Sequence, residues 1–373
     1  MSEHYDVIVV GGGFAGLCCA LKLKGKKVLV VEARKEIARK HRGSQSSLYP
    51  SGESYEVEGN DIYFHKNNIR AHNAFMGRLS RLEMEAGGQK LIANAKNPSI
   101  VVDEGKIKGT IEQMCREAGV DIITGAQVRT VESDGQRVSV YTHKQYDADY
   151  LVGADGAHSQ VIRHLPIRRR KIGNFAELEI EAERMDIPDE GFYTEFKSVT
   201  TGFYAQVYGD GYMLGVFQGL GIDGKKIDLK RYLDEAMQKM KVKGVTRQYG
   251  CFIPICLSAP SSYYKNIILA GDSVASFSMA TITGAMLMGL LAGEAVLKKT
   301  EGTANAFEEY DKQWRKILQQ ASLDRMKYFF FLLRRLNEKR MGRLFKALGG
   351  SDLALAGKGY YIKRIPGIIR AFF

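Results

Sequence analysis

The stretch HYDVIVVGGGFAGLCCALKLKGKKVLVVEARKE, which begins at His4, limits the possible folds more than any other part of the chain. A short β-branched run, Val7 to Val10, ends in glycines, and a helix-like apolar segment separates it from a second run, Val28 to Val31. This order of strand, glycine turn, helix and strand is typical of a βαβ unit that binds a dinucleotide. The chain therefore begins with half of a dinucleotide-binding fold.

Each glycine of the GGGFAG loop has a mechanical role in such a unit. Gly11 permits the tight turn, Gly13 lets a pyrophosphate approach the backbone, and Gly16 lets helix and strand pack closely. The phosphates then face the N-terminus of the helix, whose free N–H groups and dipole favour negative charge. Glu32 ends the second strand and is placed to accept hydrogen bonds from a ribose. Because these features occur in order, we predict a nucleotide site, against the alternative of a glycine-rich turn without a ligand.

The chain length and composition are those of an ordinary globular α/β protein. Its 373 residues suffice for two or three structural units, and 45% of them are hydrophobic. No run of about 18 uncharged apolar residues occurs, and the first residues lead directly into a strand, so we expect a cytoplasmic protein. The five cysteines form no CxxC or Cys/His cluster, so neither a metal site nor a disulfide framework is predicted.

The pattern of apolar residues changes twice along the chain. Alternating runs between about 164 and 262 predict an antiparallel sheet, and the sequence after YYKNIILAGDSVAS (263–276) is helical in character. A helix that carries Ile107 and Ile111 precedes expected strands around Ile122 and Val128. The expected division is a discontinuous nucleotide-binding domain (1–60, 101–163 and 263–310), a second domain with the antiparallel sheet (61–100 and 164–262), and a basic helical C-terminal region (311–373).

Two further motifs follow expected strands. GADGAHSQVIR (153–163) contains Asp155, and IILAGDSVA (267–275) ends its strand at Gly271 and Asp272. Together with GGGFAG, they resemble the three fingerprints of the para-hydroxybenzoate hydroxylase-like flavoproteins, which include aromatic hydroxylases and the geranylgeranyl reductase family. The resemblance covers about residues 5 to 310 and implies FAD as the cofactor. It also implies a Rossmann-like domain of the glutathione-reductase type, interrupted by an antiparallel-sheet substrate domain and followed by a helical C-terminal region.

The resemblance also implies a set of FAD contacts. The glycines of the first motif would hold the pyrophosphate, and Glu32 the adenosine ribose. Val128 would meet the adenine edge through its backbone, and Asp272 would face the ribityl and pyrophosphate part of FAD. For Asp155, a helix cap and a direct contact with FAD both remain open. The full set is Gly11, Gly13, Phe14, Ala15, Gly16, Glu32, Ala33, Arg42, Val128, Asp155, Gly271, Asp272, Thr283 and Gly284.

The chain departs from the family pattern near the flavin. Glu104 occupies the position of a usual arginine, so Lys106 or Arg42 would have to supply that contact. Arg39 and Arg42 fall where the family chain crosses the flavin, and Arg42 is the preferred contact. The alternative is a solvated basic loop.

The expected catalytic loop differs as well. The reductases commonly have a cysteine in a PCG-type loop near the flavin, whereas this chain reads HRGSQSS. His41 and Tyr49 are candidate proton donors by position, with structural roles as the alternative, so no catalytic residue is assigned. The segment SMATITGAM lacks the proline that is usual in the family. The backbone N–H groups of Thr283 and Gly284 are still expected to contact the flavin.

The segment FYAQVYGDGYMLGVFQ resembles the YxWxFP strand motif of the reductases, with Gln206 at the tryptophan position and Gly209 at the proline. This resemblance implies substrate contacts at Tyr204, Gln206 and Tyr208. GCFIPICLSAP is similar to the GxxIP segment that precedes the last FAD strand. A second GxGxxG, GLGIDG at 219–224, is predicted to be a turn because its helix begins only after KKID. We therefore expect the electron donor, NAD(P)H or a small redox protein, to approach the flavin from solvent.

The positive charge is concentrated at the C-terminal end. The net charge is +12, and residues 311–373 hold fifteen Lys or Arg and four acids, a net charge of +11. Leu344, Phe345 and Leu348 alternate there with cations at helical spacing, which suits contact with an anionic membrane at the inner face of the cell membrane. The alternative is a lid helix that packs on the sheet domain with its basic face in solvent. No nucleic-acid recognition motif accompanies the charge.

Three functions agree with these features. The first is an FAD-dependent reductase of carbon–carbon double bonds in an apolar prenyl lipid, for which hydride would come from reduced flavin. The second is a flavin monooxygenase that hydroxylates a small aromatic or apolar molecule. The third is a non-catalytic, membrane-associated flavoprotein, which leaves the three FAD motifs without a purpose. We expect the reductase.

Overall fold

The computed structural model describes residues 3–38, 47–48, 54–186, 191–198, 201–208, 211–218, 228–276, 281–320, 324 and 337–348. Its strands, in chain order, are β1 (Glu3–Val10), β2 (Val28–Val31), β3 (Ser47–Leu48), β4 (Tyr55–Glu58), β5 (Asp61–Phe64), β6 (Ile69–Ala71), β7 (Phe75–Ala86), β8 (Gln89–Val102), β9 (Asp121–Ile123), β10 (Thr130–Ser133), β11 (Val138–Tyr141), β12 (Gln145–Gly153), β13 (Lys171–Arg184), β14 (Gly191–Ser198), β15 (Thr201–Tyr208), β16 (Gly211–Gln218), β17 (Lys243–Cys256), β18 (Tyr263–Tyr264) and β19 (Ile267–Leu269). The helices are α1 (Phe14–Lys22), α2 (Glu104–Glu117), α3 (Leu229–Lys239), α4 (Thr281–Thr300), α5 (Ala306–Ile317) and α6 (Glu338–Leu348), with short 3₁₀ turns at Val161–His164 and Gly271–Ser273.

The first sheet has β1 near its centre, between its parallel partners β2 and β12. The strand order is β10-β11-β12-β1-β2-β9, and β19 pairs in parallel with the second half of β12, beside β18. Residues 7–10 and 28–31 are buried throughout, as a continuous apolar run predicts for a parallel sheet. Because α1 connects β1 to β2, the predicted strand, turn, helix and strand are confirmed.

The second sheet contains eight strands in the order β17-β13-β16-β15-β14-β7-β8-β3. Neighbouring strands are antiparallel, except for the parallel pair of β14 and β7. This confirms the antiparallel sheet predicted for the middle of the chain. On β13, Ile180 and Ala182 pack against Leu233 and Ala236 of α3, which covers one face of the sheet. Helix α3 begins after Asp228, whose carboxylate caps it, at the position where the sequence predicts a helix after KKID.

A small third sheet consists of β4, β5 and β6. Its buried side chains, among them Ile62, Phe64 and Ile69, belong to the same apolar core as the first sheet. The domain boundary predicted at residue 60 falls in the turn between β4 and β5.

The segment that follows β8 agrees with the sequence pattern. Helix α2 carries Ile107 and Ile111 on its buried side, and β9 contains Ile122. The strand expected near Val128 is β10, which begins two residues later at Thr130. The N–H groups of Gly125 and Ala126 donate to backbone carbonyls beyond the end of β2, at 2.7 and 2.9 Å. These bonds hold the residues before β10 as a loop at the edge of the sheet.

Helices α4 and α5 confirm the helical pattern that follows β19. Helix α5 buries Tyr310 and Trp314 completely. The Tyr310 hydroxyl donates to the carbonyl of Leu269 at 2.8 Å, and Trp314 Nε1 donates to Ser262 Oγ at 3.2 Å. Asp311 accepts the backbone N–H and the hydroxyl of Ser262 at 2.9 and 2.7 Å. Helix α5 is therefore fixed to the segment that leads into β19.

Helix α6 packs on the second sheet, against β7, β8 and β14. Met341, Leu344 and Phe345 are buried, and Gly342 lets the helix approach so closely that a Cβ there would lie 2.7 Å from the carbonyl oxygen of Ala86. The expectation that Leu344 and Phe345 enter a membrane is therefore wrong, because these side chains contribute to the protein interior. In the part of the chain that the structure describes, no helix is both long and apolar enough to span a membrane.

Candidate functional site

Four loops meet at one edge of the first sheet. They follow the carboxyl ends of β1, β2, β12 and β19, which all run parallel, and they contain the GGGFAG loop, Glu32, Asp155 and Asp272. Ligands of open α/β sheets bind in the crevice outside these strand ends. The three sequence motifs therefore converge on a single candidate site.

The GGGFAG loop combines two closely packed glycines with one open glycine. Gly11 has φ +109°, and a Cβ there would lie 2.3 Å from the carbonyl oxygen of Ala154 in the neighbouring loop. A Cβ on Gly16 would lie 1.8 Å from the carbonyl oxygen of Gly11, so only glycine lets α1 pack this closely. A Cβ on Gly13 would meet no atom of the described residues within 4 Å. The backbone at Gly13 is therefore open to a ligand, as the FAD interpretation requires.

Helix α1 presents an uncompensated positive end to this crevice. Gly13 is its N-cap, no side chain in the described part of the chain caps the helix, and its first turn contains no acid. Helix α4 runs parallel to α1, since Gly289 lies against Ala15 and Gly293 against Cys19. Its N-terminus, with the buried residues Thr283 and Gly284, therefore extends past the start of α1 at the same edge. Two helix N-termini at one edge suit a diphosphate group.

Glu32 holds the glycine loop through its carboxylate. Oε2 accepts the backbone N–H of Gly12 at 2.7 Å, and Oε1 accepts that of Arg34 at 2.8 Å. Each carboxylate oxygen has a second lone pair, so both can also accept a ribose hydroxyl. The side chain is half-buried at the end of β2, and Ala33 beside it is exposed. Val128 is buried in the adjoining loop.

Asp272 lies in the 3₁₀ turn after β19, where Gly271 has φ +65° and approaches Ala15. The residue is exposed in the described structure. The surrounding protein displaces water and raises the pKa of this carboxyl group to about 6, while Arg169 acts in the opposite direction. Arg169 donates to the backbone carbonyl of Asp272 and, at 2.7 Å, to that of Ala157. It thus joins the loops after β12 and β19.

Asp155 acts as a cap in this structure. Its Oδ2 accepts the backbone N–H groups of Gln160 and Val161 at 2.6 and 3.1 Å, which fixes the turn after β12. Its Oδ1 is buried and has no hydrogen-bond partner among the described residues. Burial raises the pKa of this carboxyl group. A direct contact with FAD stays a prediction.

Glu104 forms a buried ion pair that the sequence analysis missed. Its carboxylate lies 3.7 Å from Lys108 Nζ, one helical turn later, and the two side chains are 4% and 2% exposed. Burial lowers the pKa of Lys108, and Glu104 partly offsets this effect. Lys106, a predicted substitute for the family arginine, donates instead to the carbonyl of Asn73 at 2.8 Å. The only early signal was the i, i+4 spacing of Glu104 and Lys108 on α2.

The predicted substrate residues Tyr204, Gln206 and Tyr208 belong to β15, and their side chains lie outside the described part of the structure. The strand register aligns Tyr204 with Gly215 of β16, which in turn aligns with Glu179 of β13.

Glu177 and Glu179 on β13 are both 2% exposed, a second feature that the sequence analysis missed. Cys251 Sγ donates to Glu177 at 3.5 Å, and burial raises the pKa of this thiol to about 12. Arg39, His41, Arg42, Tyr49 and the GLGIDG segment lie outside the described residues. No cluster of metal-ligating side chains occurs among the described residues.

A protein-family comparison decides the family. The family described as "FAD binding domain" matches residues 4–202, more than half of the chain. The chain belongs to this FAD-binding family. The crevice agrees with that result, because the open face of Gly13 and the uncapped N-terminus of α1 fit a diphosphate, and Glu32 fits a ribose. FAD is therefore the cofactor of this flavoprotein.

Comparisons with individual proteins extend the similarity beyond residue 202. Digeranylgeranylglycerophospholipid reductase 1 of Methanococcoides burtonii is 25% identical over 338 residues, which cover 84% of this chain and 80% of the relative. A rifampicin monooxygenase of Streptomyces venezuelae is 25% identical over 286 residues, 72% of this chain and 58% of the relative. The crystal structure of a geranylgeranyl bacteriochlorophyll reductase-like protein of Thermoplasma acidophilum has a TM-score of 0.79 at 18% identity and covers 99% of this chain and 98% of its own. The predicted fold class and the resemblance to the geranylgeranyl reductase family are confirmed, and the protein is an FAD-dependent oxidoreductase.

Proposed function

We propose that this flavoprotein reduces carbon–carbon double bonds of an apolar prenyl lipid. The observation that carries the proposal is the similarity to a digeranylgeranylglycerophospholipid reductase along 84% of this chain and 80% of the relative. This similarity includes the second sheet as well as the cofactor domain. The rifampicin monooxygenase is matched over only 58% of its length, which gives weaker support to the hydroxylase alternative.

The protein's own residues would bind and orient the cofactor. The N-termini of α1 and α4 and the open backbone at Gly13 would hold the diphosphate. Glu32 would accept the ribose hydroxyls while it keeps its bonds to the loop, and Asp272 would face the ribityl chain. When bound, FAD supplies the hydride chemistry, which no protein side chain can provide.

The second sheet would supply the substrate site. Tyr204, Gln206 and Tyr208 on β15 remain the proposed contacts, and the register places Glu179 two strands from Tyr204. The electron donor in this proposal is NAD(P)H or a small redox protein.

Anaerobic reoxidation of the reduced holoprotein separates the candidate functions. The flavin is reduced with dithionite without oxygen, and either a prenylated phospholipid or an aromatic compound with oxygen is added. We expect the lipid alone to restore the oxidised flavin spectrum. Reoxidation that needs oxygen and is accelerated by the aromatic compound would instead indicate a monooxygenase. Failure of both to accelerate reoxidation would favour a non-catalytic flavoprotein.

We also propose peripheral contact with an anionic membrane through the exposed cations of α6. Lys339, Arg343 and Lys346 point away from the buried face of that helix. Because the apolar residues are buried, the contact would be electrostatic and would weaken with salt, as the Debye length falls to about 8 Å at physiological ionic strength. Replacement of the three cations with glutamine should release the protein from acidic liposomes and leave the flavin spectrum unchanged.

A matched control removes the same charge from another helix. Lys230, Arg231 and Lys239 are exposed on α3, so their replacement with glutamine tests net charge alone. Equal release by both triple variants would contradict a specific role for α6, and full retention of the α6 variant would exclude contact through that helix.

A further inference from the structure

A cavity beside the cofactor loops has no role in the function proposed above. Its volume is about 310 Å³, and its walls are Ile162, Arg163, Ile167, Arg168, Arg169 and Cys256. Three arginine residues therefore line one space, between the 3₁₀ turn after β12 and the end of β17. This volume lies at the lower end of the range of about 300–1,000 Å³ that is typical of small-ligand sites.

Among the described residues, the hydrogen-bond partners of these arginines are neutral acceptors. Arg163 donates to Gln160 Oε1 at 3.4 Å, and Arg168 donates to the backbone carbonyls of Leu165 and Ile167. Within the described residues, no carboxylate oxygen lies within 4 Å of these two guanidinium groups. Each guanidinium has five N–H donors, so most of the donor capacity around the cavity remains available to an anion.

Arg169 connects the cavity to the FAD loops. It is half-buried and donates to the carbonyls of Ala157 and Asp272. Burial lowers the pKa of Arg169, and Asp155 and Asp272 partly offset this while Arg163 adds to it. An anion in the cavity would relieve the repulsion between Arg163 and Arg169. The other walls, Ile162, Ile167 and Cys256, are apolar or weakly polar and suit carbon atoms next to an anionic group.

We infer that this cavity binds a phosphate ester, with the arginines on the phosphate and the apolar walls on the adjoining carbons. Guanidinium groups recognise phosphate by paired, charge-assisted hydrogen bonds. The phosphate can come from a glycerophospholipid headgroup, a source that rests on the proposed function, or from a phosphorylated nucleotide such as NADPH. Both sources share the same chemistry, and binding measurements separate them.

The test uses the FAD-loaded protein and two soluble probes, dihexanoyl phosphatidylglycerol and NADPH, in calorimetric titrations. The variant Arg163→Gln/Arg168→Gln removes two cations from the cavity and retains Arg169, which holds the FAD loops. Arg170→Gln is the matched control, because Arg170 belongs to the same exposed segment but does not line the cavity. Flavin content and thermal unfolding should match the wild type in both variants, since the replaced side chains are exposed.

We expect the double variant to weaken binding of the phosphate ester by roughly tenfold or more and the control to change it by less than about twofold. Loss of lipid binding alone assigns the cavity to a headgroup, and loss of NADPH binding alone assigns it to a nucleotide. Unchanged binding of both probes in the double variant, or no binding to the wild type, would overturn the inference. Because the measurement needs no turnover, failure of the lipid reductase proposal would not affect it.

Discussion

Gly13 offers a direct way to separate cofactor binding from folding. Its backbone angles, φ −80° and ψ −178°, are open to any residue, and a Cβ there would meet none of the described protein atoms within 4 Å. Gly13→Ala should therefore change the free energy of unfolding of the apoprotein by less than about 1 kcal/mol, since reduced freedom of the unfolded chain and a weaker N-cap act in opposite directions. The added methyl group, however, occupies the space into which a diphosphate must come.

The effect on FAD follows from the contacts that the methyl group would displace. Pushing the diphosphate off the N-terminus of α1 weakens one charge-assisted hydrogen bond or more, at about 1.5–3 kcal/mol each, or roughly 10- to 100-fold in Kd. Kd is measured by titrating apoprotein with FAD and following the quenching of flavin fluorescence. Apoprotein stability is measured separately by urea unfolding, because bound FAD itself stabilises the fold.

Gly16→Ala is the matched control for this substitution. A Cβ at Gly16 would lie 1.8 Å from the carbonyl oxygen of Gly11, so the apoprotein should lose at least about 2 kcal/mol. The two variants should thus differ in kind, one defective in binding and the other in folding. Wild-type FAD affinity in Gly13→Ala would show that the diphosphate does not lie against Gly13.

Three further predictions concern the acidic residues near the site. Glu32→Ala should lower the flavin retained after dialysis, because both a ribose acceptor and two bonds to the glycine loop are lost; unchanged flavin content would contradict this role. Because the pKa of Asp272 is raised, the native apoprotein binds more protons than the unfolded chain between about pH 4 and pH 6. The free energy of unfolding should therefore fall as the pH rises through this window. Asp272→Asn should flatten this slope of unfolding free energy against pH. Lys108→Met should lower the free energy of urea unfolding by about 3 kcal/mol, because Glu104 stays buried without its cation. Glu104→Gln/Lys108→Met should recover most of that loss, and a double variant as unstable as Lys108→Met would contradict this explanation.

The parts of the fold that the sequence predicted best are those with local patterns. The glycine loop, α2 and the antiparallel strands follow from spacing within a few residues of each other. The strand expected near Val128 begins at Thr130, and its exact start depends on hydrogen bonds from Gly125 and Ala126 to residues near β2, which hold the preceding residues as a loop. Those bonds connect positions about ninety residues apart, which no local pattern indicates.

The remaining features depend on contacts between distant segments. The amphipathic pattern of α6 favoured a membrane over a protein surface, whereas the burial of Leu344 and Phe345 and the close approach of Gly342 to Ala86 show that its apolar face packs on the sheet. Arg169 lies just after the motif GADGAHSQVIR and belongs to no motif itself. Its role depends on Asp272, 103 residues later. The assignments of Tyr204, Gln206 and Tyr208 to the substrate stay predictions.

The product of a single turnover is the most decisive observation on function. Reduced holoprotein is incubated without oxygen with a prenylated glycerophospholipid, and the extracted lipid is analysed by mass spectrometry. We expect a gain of two hydrogen atoms for each double bond reduced, with one lipid double bond lost per flavin oxidised. Unchanged lipid under these conditions, together with a product that has gained an oxygen atom when oxygen and an aromatic compound are supplied, would show that the protein is a monooxygenase and not a reductase.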